Sequence, residues 1–283
     1  MKILFISDNF PPERNAPAKR TFEHTKEWVN SNHKVTVITG APNFPIGKVF
    51  DGYKNKFYQT ESIDKINIKR VWTYIAKNEG FLLRIFDYIS FMVSSFICGI
   101  FTKKHDVIIA TSPQFFTAIS GYLISFFKRS HYILEIRDLW PESIVTVGAM
   151  KESSIIIKIL YKIALFLYKK AKIIICVTDS FKKDLIDKGI NPDKIIVIKN
   201  GFNFENILPP TKTINQLEKD YNLNHEDFIV SFIGTIGMAH GLSIILEASK
   251  NIDKNVKFLI IGDGAERELL KEKAKKELVK NVV

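Results

Sequence analysis

Short, almost wholly apolar runs alternate with longer segments of helical periodicity along most of the chain. The runs are rich in Val and Ile, and their length and composition predict strands buried on both faces. Such strands alternating with helices indicate a parallel sheet covered on both faces, which is an α/β fold. The predicted strands are KILFIS (2–7), KVTVIT (34–39), IKRVWTY (68–74), DVIIATS (106–112), YILEIRD (132–138), KIIICVT (172–178) and KIIVIKN (194–200), and the predicted helices are 21–30, 81–101, 115–128 and 154–171.

The pattern lapses after Gly201 and resumes near Phe228, and Pro209 and Pro210 between them are typical of a linker. A second series follows, with strands at 228–234 and 256–262 and helices at 242–250 and 266–280. Because two strands are too few for a doubly wound domain, we expect the chain to stop inside its second domain. The predicted parts are a Rossmann-like domain (1–202), a linker (203–224) and a partial second Rossmann-like domain (225–283).

The 283 residues include 41 Lys plus Arg and 30 Asp plus Glu, a formal charge of +11. This balance favours anionic partners, although a Lys-rich solvated surface would have the same composition. Nucleic acid ranks last among such partners because no recognised motif for it occurs. Cys98 and Cys176 stand in apolar runs and are predicted buried thiols of a reducing compartment. No secretion signal precedes the first strand, so we expect a cytoplasmic protein.

The segment 81–101, FLLRIFDYISFMVSSFICGIF, is long enough to cross a membrane. It contains Arg84 and Asp87, however, and each charge costs about 2.5–3.5 kcal/mol at the centre of a spanning helix. A buried or surface-lying helix is therefore the prediction.

Parallel sheets bind ligands at the carboxyl ends of their strands, so the residues that follow each strand are the candidates for chemistry. The first such segment is FPPERNAPAKR (10–20), which follows strand 2–7 and introduces a helix. Free amides at a helix start favour an anion, and the cations here suit a phosphate. The alternative is a stiff, solvated loop. The candidate phosphate-binding residues are Arg14, Asn15, Lys19 and Arg20.

EIRDLWPES (135–143) places Glu135, Arg137, Asp138 and Glu142 at one strand exit. These charges can form a simple ion pair, but four of them at a strand end favour a functional role. KNGFN (199–203) ends another strand, where Asn200 and Gly201 form either part of a site or an ordinary turn.

Two glycine-rich segments follow the strands of the second series, in the strand–turn–helix context that phosphate-binding loops require. In the second, we expect Asp263 to cap the following helix. No D-x-D, Walker A or zinc spacing occurs, so no metal or other cofactor is expected. The segments are GTIGMAHGL (234–242), with Gly234, Gly237, His240 and Gly241, and GDGAERE (262–268), with Gly262, Asp263 and Gly264.

In this order, the basic turn, RDLWPES, the Asn-Gly pair, G-x-x-G-x-x-x-G and IGDG-x-E resemble glycosyltransferase family 4, retaining enzymes of the GT-B fold. The first two are most similar to the branch that builds bacterial surface polysaccharides, including N-acetylfucosamine-type transferases. The resemblance implies two domains that face a cleft and a transfer that needs no metal. The N-terminal domain would hold an acceptor, such as a saccharide on a lipid diphosphate at the inner membrane face, and the C-terminal domain a nucleotide sugar, usually UDP-linked.

The resemblance also implies residue roles. Asp138 would lie near the reacting sugar, and Arg137 would orient it or meet the acceptor. The acceptor or phosphate side would comprise Arg14, Asn15, Lys19, Arg20 and Glu142. The donor side would comprise Gly234, Thr235, Gly237, His240, Gly241, Gly262, Asp263, Gly264, Asn200 and Gly201.

Two departures from the family pattern leave other functions open. Thr235 and His240 stand where many members carry Arg and Lys, and the E-x7-E stretch that binds the donor would lie beyond Val283. The alternatives are a non-catalytic acceptor-binding remnant and a nucleotide-sugar epimerase. Peripheral contact with the membrane through 81–101 and 115–127 is the expected route to a lipid-linked acceptor.

Overall fold

The first unit of the chain, Met1–Gly201, is built on one large sheet. A computed structural model describes residues 1–44, 47–75, 81–112, 114–201, 214–221, 223–253 and 255–283. The strands of this unit are β1 (Lys2–Ile6), β2 (Lys34–Thr39), β3 (Tyr58–Ile63), β4 (Ile66–Val71), β5 (Val107–Thr111), β6 (His131–Ile136), β7 (Ile173–Cys176) and β8 (Ile195–Val197). Its helices are α1 (Ala16–Asn30), α2 (Phe81–Phe101), α3 (Phe115–Lys128), α4 (Glu142–Thr146), α5 (Ile155–Lys170) and α6 (Asp179–Asp187).

The sheet has the order β3-β4-β2-β1-β5-β6-β7-β8. All neighbouring pairs except β3–β4 are parallel, and Ile3 of β1 lies opposite Val35 of β2 and Val107 of β5. The carboxyl ends of β1, β5, β6 and β7 therefore share one edge. The predicted α/β fold is confirmed.

Helices cover both faces of this sheet because the central strands are apolar on both sides. On one face, Phe22 and Trp28 of α1 pack over Ile3 and Phe5. On the other, α2 and α3 pack over Leu4, and α5 lies next to α3. The two cysteines, Cys98 and Cys176, are buried on this second face as free thiols.

The antiparallel strand β3 is absent from the prediction because its sequence, YQTESI, alternates polar and apolar residues and lacks the apolar run of a central strand. Asp64 and Lys65 both have positive φ and form the tight turn into β4. Strand β4 consequently begins at Ile66 and ends at Val71, earlier than the predicted 68–74.

The second unit, Phe202–Val283, contains a two-stranded parallel sheet. Its small core consists of Ile236, Leu242, Leu246 and Leu270 among the described residues. The predicted linker 203–224 is partly helical, since α7 lies inside it, while 203–213 and 222 fall outside the described residues. The elements are α7 (Ile214–Asp220), β9 (Phe228–Ile233), α8 (Ser243–Ser249), β10 (Val256–Ile261) and α9 (Arg267–Lys276).

Candidate functional site

A buried carboxylate, Glu135, holds two arginines at the carboxyl end of β6. Its side chain is 4% exposed; Oε1 lies 2.5 Å from Nη2 of Arg137 and Oε2 lies 3.7 Å from Nη2 of Arg20. Burial alone would raise the pKa of Glu135, but the two guanidinium groups outweigh it and hold that pKa below its usual value. Glu135 is therefore ionised at neutral pH and fixes both guanidinium groups at the sheet edge.

Arg137 and Asp138 of the RDLWPES segment are positioned by hydrogen bonds to their backbone. Ser112 Oγ accepts the N–H of Arg137 (2.7 Å) and that of Asp138 (3.3 Å), while Arg137 Nη1 donates to Asn200 Oδ1 at 2.6 Å. The Asp138 side chain stays exposed. Surrounding protein nevertheless raises its pKa, against the opposing effect of Arg20. The structure thus joins Arg137 to Asn200 and leaves Asp138 open to a ligand.

The cations predicted in the opening loop do not form one cluster. Asn15 caps α1, accepting the N–H of Ala18 at 2.8 Å, which explains why the helix begins at Ala16 rather than at the predicted position 21. Lys19 is exposed and lies 3.8 Å from Glu23, and Arg14 is also exposed. Arg20 reaches the strand ends, where its Nη2 donates to Thr111 Oγ1 at 3.0 Å.

The same loop is held by two buried charged side chains. Arg70 Nη2 donates to the carbonyl oxygen of Pro11 at 2.5 Å, and Glu13 Oε1 accepts the N–H groups of Asn43 (2.8 Å) and Phe44 (2.9 Å). The stiffness of this loop therefore comes from tertiary anchoring as well as from its prolines.

Glu142 does not join the other charges of its segment, and this expectation is wrong. The residue is the first of α4, and its carboxylate pairs with Lys188, which also binds Asp184 of α6 at 2.5 Å. The reason is that the chain turns at Pro141, so Glu142 points toward α6. Its structural role is to link α4 to α6.

Two further carboxylates, Asp8 and Asp87, were not predicted as site residues. Asp8 follows β1 at the same sheet edge; burial raises its pKa well above the usual value, and the charges of Asp87 and Glu13 raise it further. Burial also raises the pKa of Asp87, although its Oδ1 accepts a hydrogen bond from Thr73 Oγ1 at 2.6 Å. Nearby, burial raises the pKa of Tyr88 to about 12. The edge therefore holds carboxyl groups that favour the protonated form.

The two glycine-rich segments of the second unit meet at backbone contact. A Cβ on Gly262 would lie 1.8 Å from the carbonyl oxygen of Gly234, and one on Gly264 would lie 2.2 Å from that of Ile236. The N–H of Ile236 donates to the Asp263 carbonyl oxygen at 2.9 Å. Only glycine allows this approach, so the loops after β9 and β10 form one structure.

Two other predicted donor residues, Thr235 and His240, belong to the loop after β9. His240 and Thr235 are exposed, and the His240 ring meets Phe232 edge-on at 5.6 Å. Asp263 does not cap α9, contrary to the prediction: its Oδ1 accepts the N–H of Gly264 at 2.9 Å, and α9 begins beyond it at Arg267. The remaining positions are Gly237, in extended conformation, Gly241, with φ 57°, and Gly201, which ends the first unit.

The sequence matches known families in both units. Residues 18–206 match Glycosyltransferase Family 4, and residues 213–283 match Glycosyl transferases group 1. The chain belongs to glycosyltransferase family 4. As a family 4 chain it carries the domain types of a glycosyltransferase, and its two Rossmann-like units confirm the predicted GT-B fold class.

Individual relatives of this family 4 chain are distant. It is 23% identical over 169 residues to WbjE of Pseudomonas aeruginosa, described as a probable glycosyltransferase; the match spans 58% of this chain and 41% of that relative. The structure of Anabaena HepE with UDP and glucose superposes with TM-score 0.66 at 15% identity, covering 100% of this chain and 68% of that one. The lipopolysaccharide outer core galactosyltransferase WaaB gives 0.53 at 14% identity, covering 100% and 67%.

Within the residues that the structure describes, no group of three or more His, Cys, Asp or Glu side chains could hold a metal ion. Each unit nevertheless offers chemistry that suits a phosphorylated sugar. The first provides fixed guanidinium groups and an exposed carboxylate, and the second provides two glycine-rich loops packed backbone against backbone. Asp8 was not among the predicted site residues. Its position directly after a predicted strand is the feature of the sequence that could have identified it.

Proposed function

We propose that this chain transfers a sugar from a UDP-linked donor held by its second unit to an acceptor held by its first. The observation that carries the proposal is the backbone contact between Gly262 and Gly234, which brings together two glycine-rich loops in the strand–turn–helix context that phosphate-binding loops require. The fold match to HepE, whose structure contains UDP and glucose, supports UDP as the nucleotide.

The first unit supplies the charged groups of the reaction. In this proposal Asp138 lies next to the reacting sugar, and Arg137, held by Glu135 and Asn200, orients the sugar or the acceptor. Arg20 offsets the charge of the departing diphosphate. Neither the exposed Arg14 and Lys19 nor the paired Glu142 is needed for these roles.

The chemical step proceeds with retention and without a bound metal. The acceptor hydroxyl oxygen bonds to the anomeric carbon on the face that the diphosphate leaves, and the bond between that carbon and the diphosphate oxygen breaks. The hydroxyl proton passes to the departing diphosphate, which leaves as UDP. The oxocarbenium-like centre between these events is stabilised electrostatically.

The acceptor we propose is a saccharide carried on a lipid diphosphate, in the assembly of a bacterial surface polysaccharide. The similarity of FPPERNAPAKR and RDLWPES to the N-acetylfucosamine-type branch, together with the fold match to WaaB, supports this substrate class. Such an acceptor is embedded in the inner leaflet, so the protein would act from the cytoplasm as a peripheral membrane protein.

The test is turnover of the purified chain with a panel of UDP-sugars and lipid-diphosphate saccharides, followed by chromatography and NMR of the product. We expect release of UDP that depends on the acceptor, and a product with the donor's anomeric configuration. Inverted configuration would contradict retention. A changed nucleotide sugar formed without acceptor would indicate an epimerase, and acceptor binding without turnover would indicate a non-catalytic protein.

A further inference from the structure

Helices α2, α3 and α5 lie side by side on one face of the first unit. Phe91 and Cys98 of α2, Ile124 of α3 and Leu167 of α5 point inward to the sheet. A hydrogen bond of 2.8 Å between Ser95 Oγ and Ser120 Oγ also joins α2 to α3. The three helices therefore form one layer with a common outer face.

This outer face is apolar. On α2, Phe86 (64% exposed), Val93, Ile97 and Phe101 (84%) recur at helical spacing along one stripe. Ring contacts extend it across the layer: Phe96 of α2 meets Phe127 of α3 at 6.0 Å, and Tyr122 meets Phe166 of α5 at 5.2 Å. We call this surface the apolar helix face; its exposed members are Leu83, Phe86, Ile89, Val93, Ile97, Phe101, Phe126, Phe127, Ile155, Ile156, Ile159 and Phe166.

Cations border the apolar helix face, while acids are rare on it. The sequences of α3 and α5 contain no Asp or Glu, and the one acid of α2, Asp87, is turned to Thr73. Lys170 lies over the Phe166 ring at 5.6 Å. Cations in or just after these helices in the sequence include Lys103, Lys104, Lys128, Arg129, Lys158, Lys162, Lys169 and Lys170.

If α2 crossed a membrane, it would have to leave the helix layer, and the fold of the first unit would be lost. By length and composition α2 is the one described helix that could cross a membrane, and 22% of its most apolar window is buried. The buried part includes Phe91 and Ser95, and their removal would uncover Leu4 and Ile38 of the central strands. An apolar stripe bordered by cations, with its other side fixed to a domain, suits the surface of a bilayer.

We propose that the apolar helix face docks this chain on an anionic lipid bilayer. The exposed aromatic and aliphatic side chains would enter the boundary between headgroups and acyl chains, and the bordering lysines would bind anionic headgroups. The inference deepens the proposed function, since the bilayer would carry the lipid-linked acceptor, but it stands on a different surface from the donor loops.

The first test is co-sedimentation of the full chain with vesicles of phosphatidylcholine, alone or with an equal part of phosphatidylglycerol. We expect binding to the anionic vesicles, weaker binding to the neutral ones, and a decline with added salt. Replacing Ile97 and Phe101 by Ser (Ile97→Ser with Phe101→Ser) should weaken vesicle affinity at least tenfold, because both side chains leave the acyl boundary.

The matched control is Phe57→Ser. Phe57 is 85% exposed, as much as Phe101, but precedes β3 and lies outside the apolar helix face. It should leave vesicle affinity unchanged. An equal loss in the control and the test variant, or no loss in either, would overturn the assignment of this face.

A charge pair of variants tests the lipid class. Lys158→Glu with Lys162→Glu should weaken binding to anionic vesicles at least tenfold, since each lysine near the surface contributes about fivefold. The control variant, Lys54→Glu with Lys56→Glu, changes two lysines before β3 and should bind anionic vesicles as tightly as the unaltered chain. If the unaltered chain bound neutral and anionic vesicles equally, the proposal that the partner is an anionic lipid would be overturned. If the chain self-associated through Ile97 and Phe101 and bound no vesicles, the face would be assigned to a second copy of the chain.

UDP stabilisation, measured on every variant by thermal unfolding, separates this proposal from the proposed function. A variant that no longer binds vesicles but is still stabilised by UDP has its defect in membrane docking. Vesicle binding without any UDP response would contradict the donor site and leave docking intact.

Discussion

At the scale of single residues, Glu135 is the clearest example of charge fixed by burial. Glu135→Gln would leave the guanidinium groups of Arg20 and Arg137 without their anion, and breaking a buried ion pair costs about 3–5 kcal/mol. We expect that loss of unfolding free energy in urea at neutral pH. As pH falls, the difference from the unaltered chain should shrink, because the stability from ionised Glu135 is complete above the usual pKa of 4.5 and is lost as pH passes through the lowered folded-state pKa.

Glu142→Gln is the control for that experiment. Glu142 and Lys188 are both about a quarter exposed, so their ion pair contributes at most about 1 kcal/mol. A loss as large as that of Glu135→Gln would contradict the assigned difference in burial.

Asp8 is predicted to lower the stability of the fold at neutral pH. Because the folded-state pKa of Asp8 is raised, folding at neutral pH requires this carboxylate either to be buried with its charge or to take up a proton, and both reduce stability. Asp8→Asn should therefore raise the melting temperature by about 2–4 °C. The gain should disappear below the usual Asp pKa of 3.8, where both states are protonated. Thermal scans across pH check this, and a gain that persists in acid would point to some other cause.

Whether the position of a residue could be predicted from the sequence depends on whether local sequence or tertiary packing determines it. The position of Arg137 and Asp138 at the end of β6 could be predicted, because both directly follow an apolar run; their functional roles stay predictions. The pairing of Glu142 with Lys188 could not, since it depends on how α4 and α6 meet across 46 residues of chain. Arg14 precedes α1, whereas Lys19 and Arg20 lie at neighbouring positions on it and face different directions, which becomes visible once Asn15 fixes where the helix begins.

At the scale of elements, the paired loops after β9 and β10 give a direct test of backbone approach. Gly262→Ala would force a Cβ into the Gly234 carbonyl oxygen, and overpacking of this kind costs about 1–3 kcal/mol or more. We expect the second unit to lose its folded structure, visible as loss of amide protection by hydrogen exchange in β9 and β10.

Gly237→Ala is the matched change in the same loop. Its nearest neighbour, Thr235 Cγ2, would lie 4.0 Å from the new Cβ, and its φ of −145° is open to any residue. The fold should therefore persist, while affinity for UDP falls if the loop backbone contacts the diphosphate. Unfolding of this variant would refute the reasoning from glycine contacts.

The elements themselves were predictable where burial dictated the pattern. The central strands and long helices follow from apolar runs and helical spacing. Strand β3 could not be predicted in this way, because an edge strand that is exposed on one side alternates polar and apolar residues. Helix α7 could not be predicted either, because it lies in a segment whose prolines indicated only a linker.

At the scale of the whole molecule, the two units differ in the size of their cores. The first unit has three clusters of buried apolar side chains, whereas the described part of the second has one cluster with four buried residues. Since stability follows buried apolar surface, we expect two unfolding transitions, with the second unit melting at the lower temperature. A single transition in calorimetry, coincident with hydrogen exchange in both units, would contradict this.

The most direct test of the account is differential scanning calorimetry of the 283-residue chain as UDP is added, with ADP as the control nucleotide. A ligand that binds only the folded state stabilises it by about 2.7 kcal/mol at a hundredfold excess over its dissociation constant. We predict that UDP raises the lower transition and that ADP raises it less. No shift at millimolar UDP, or a shift confined to the upper transition, would contradict a donor site in the second unit.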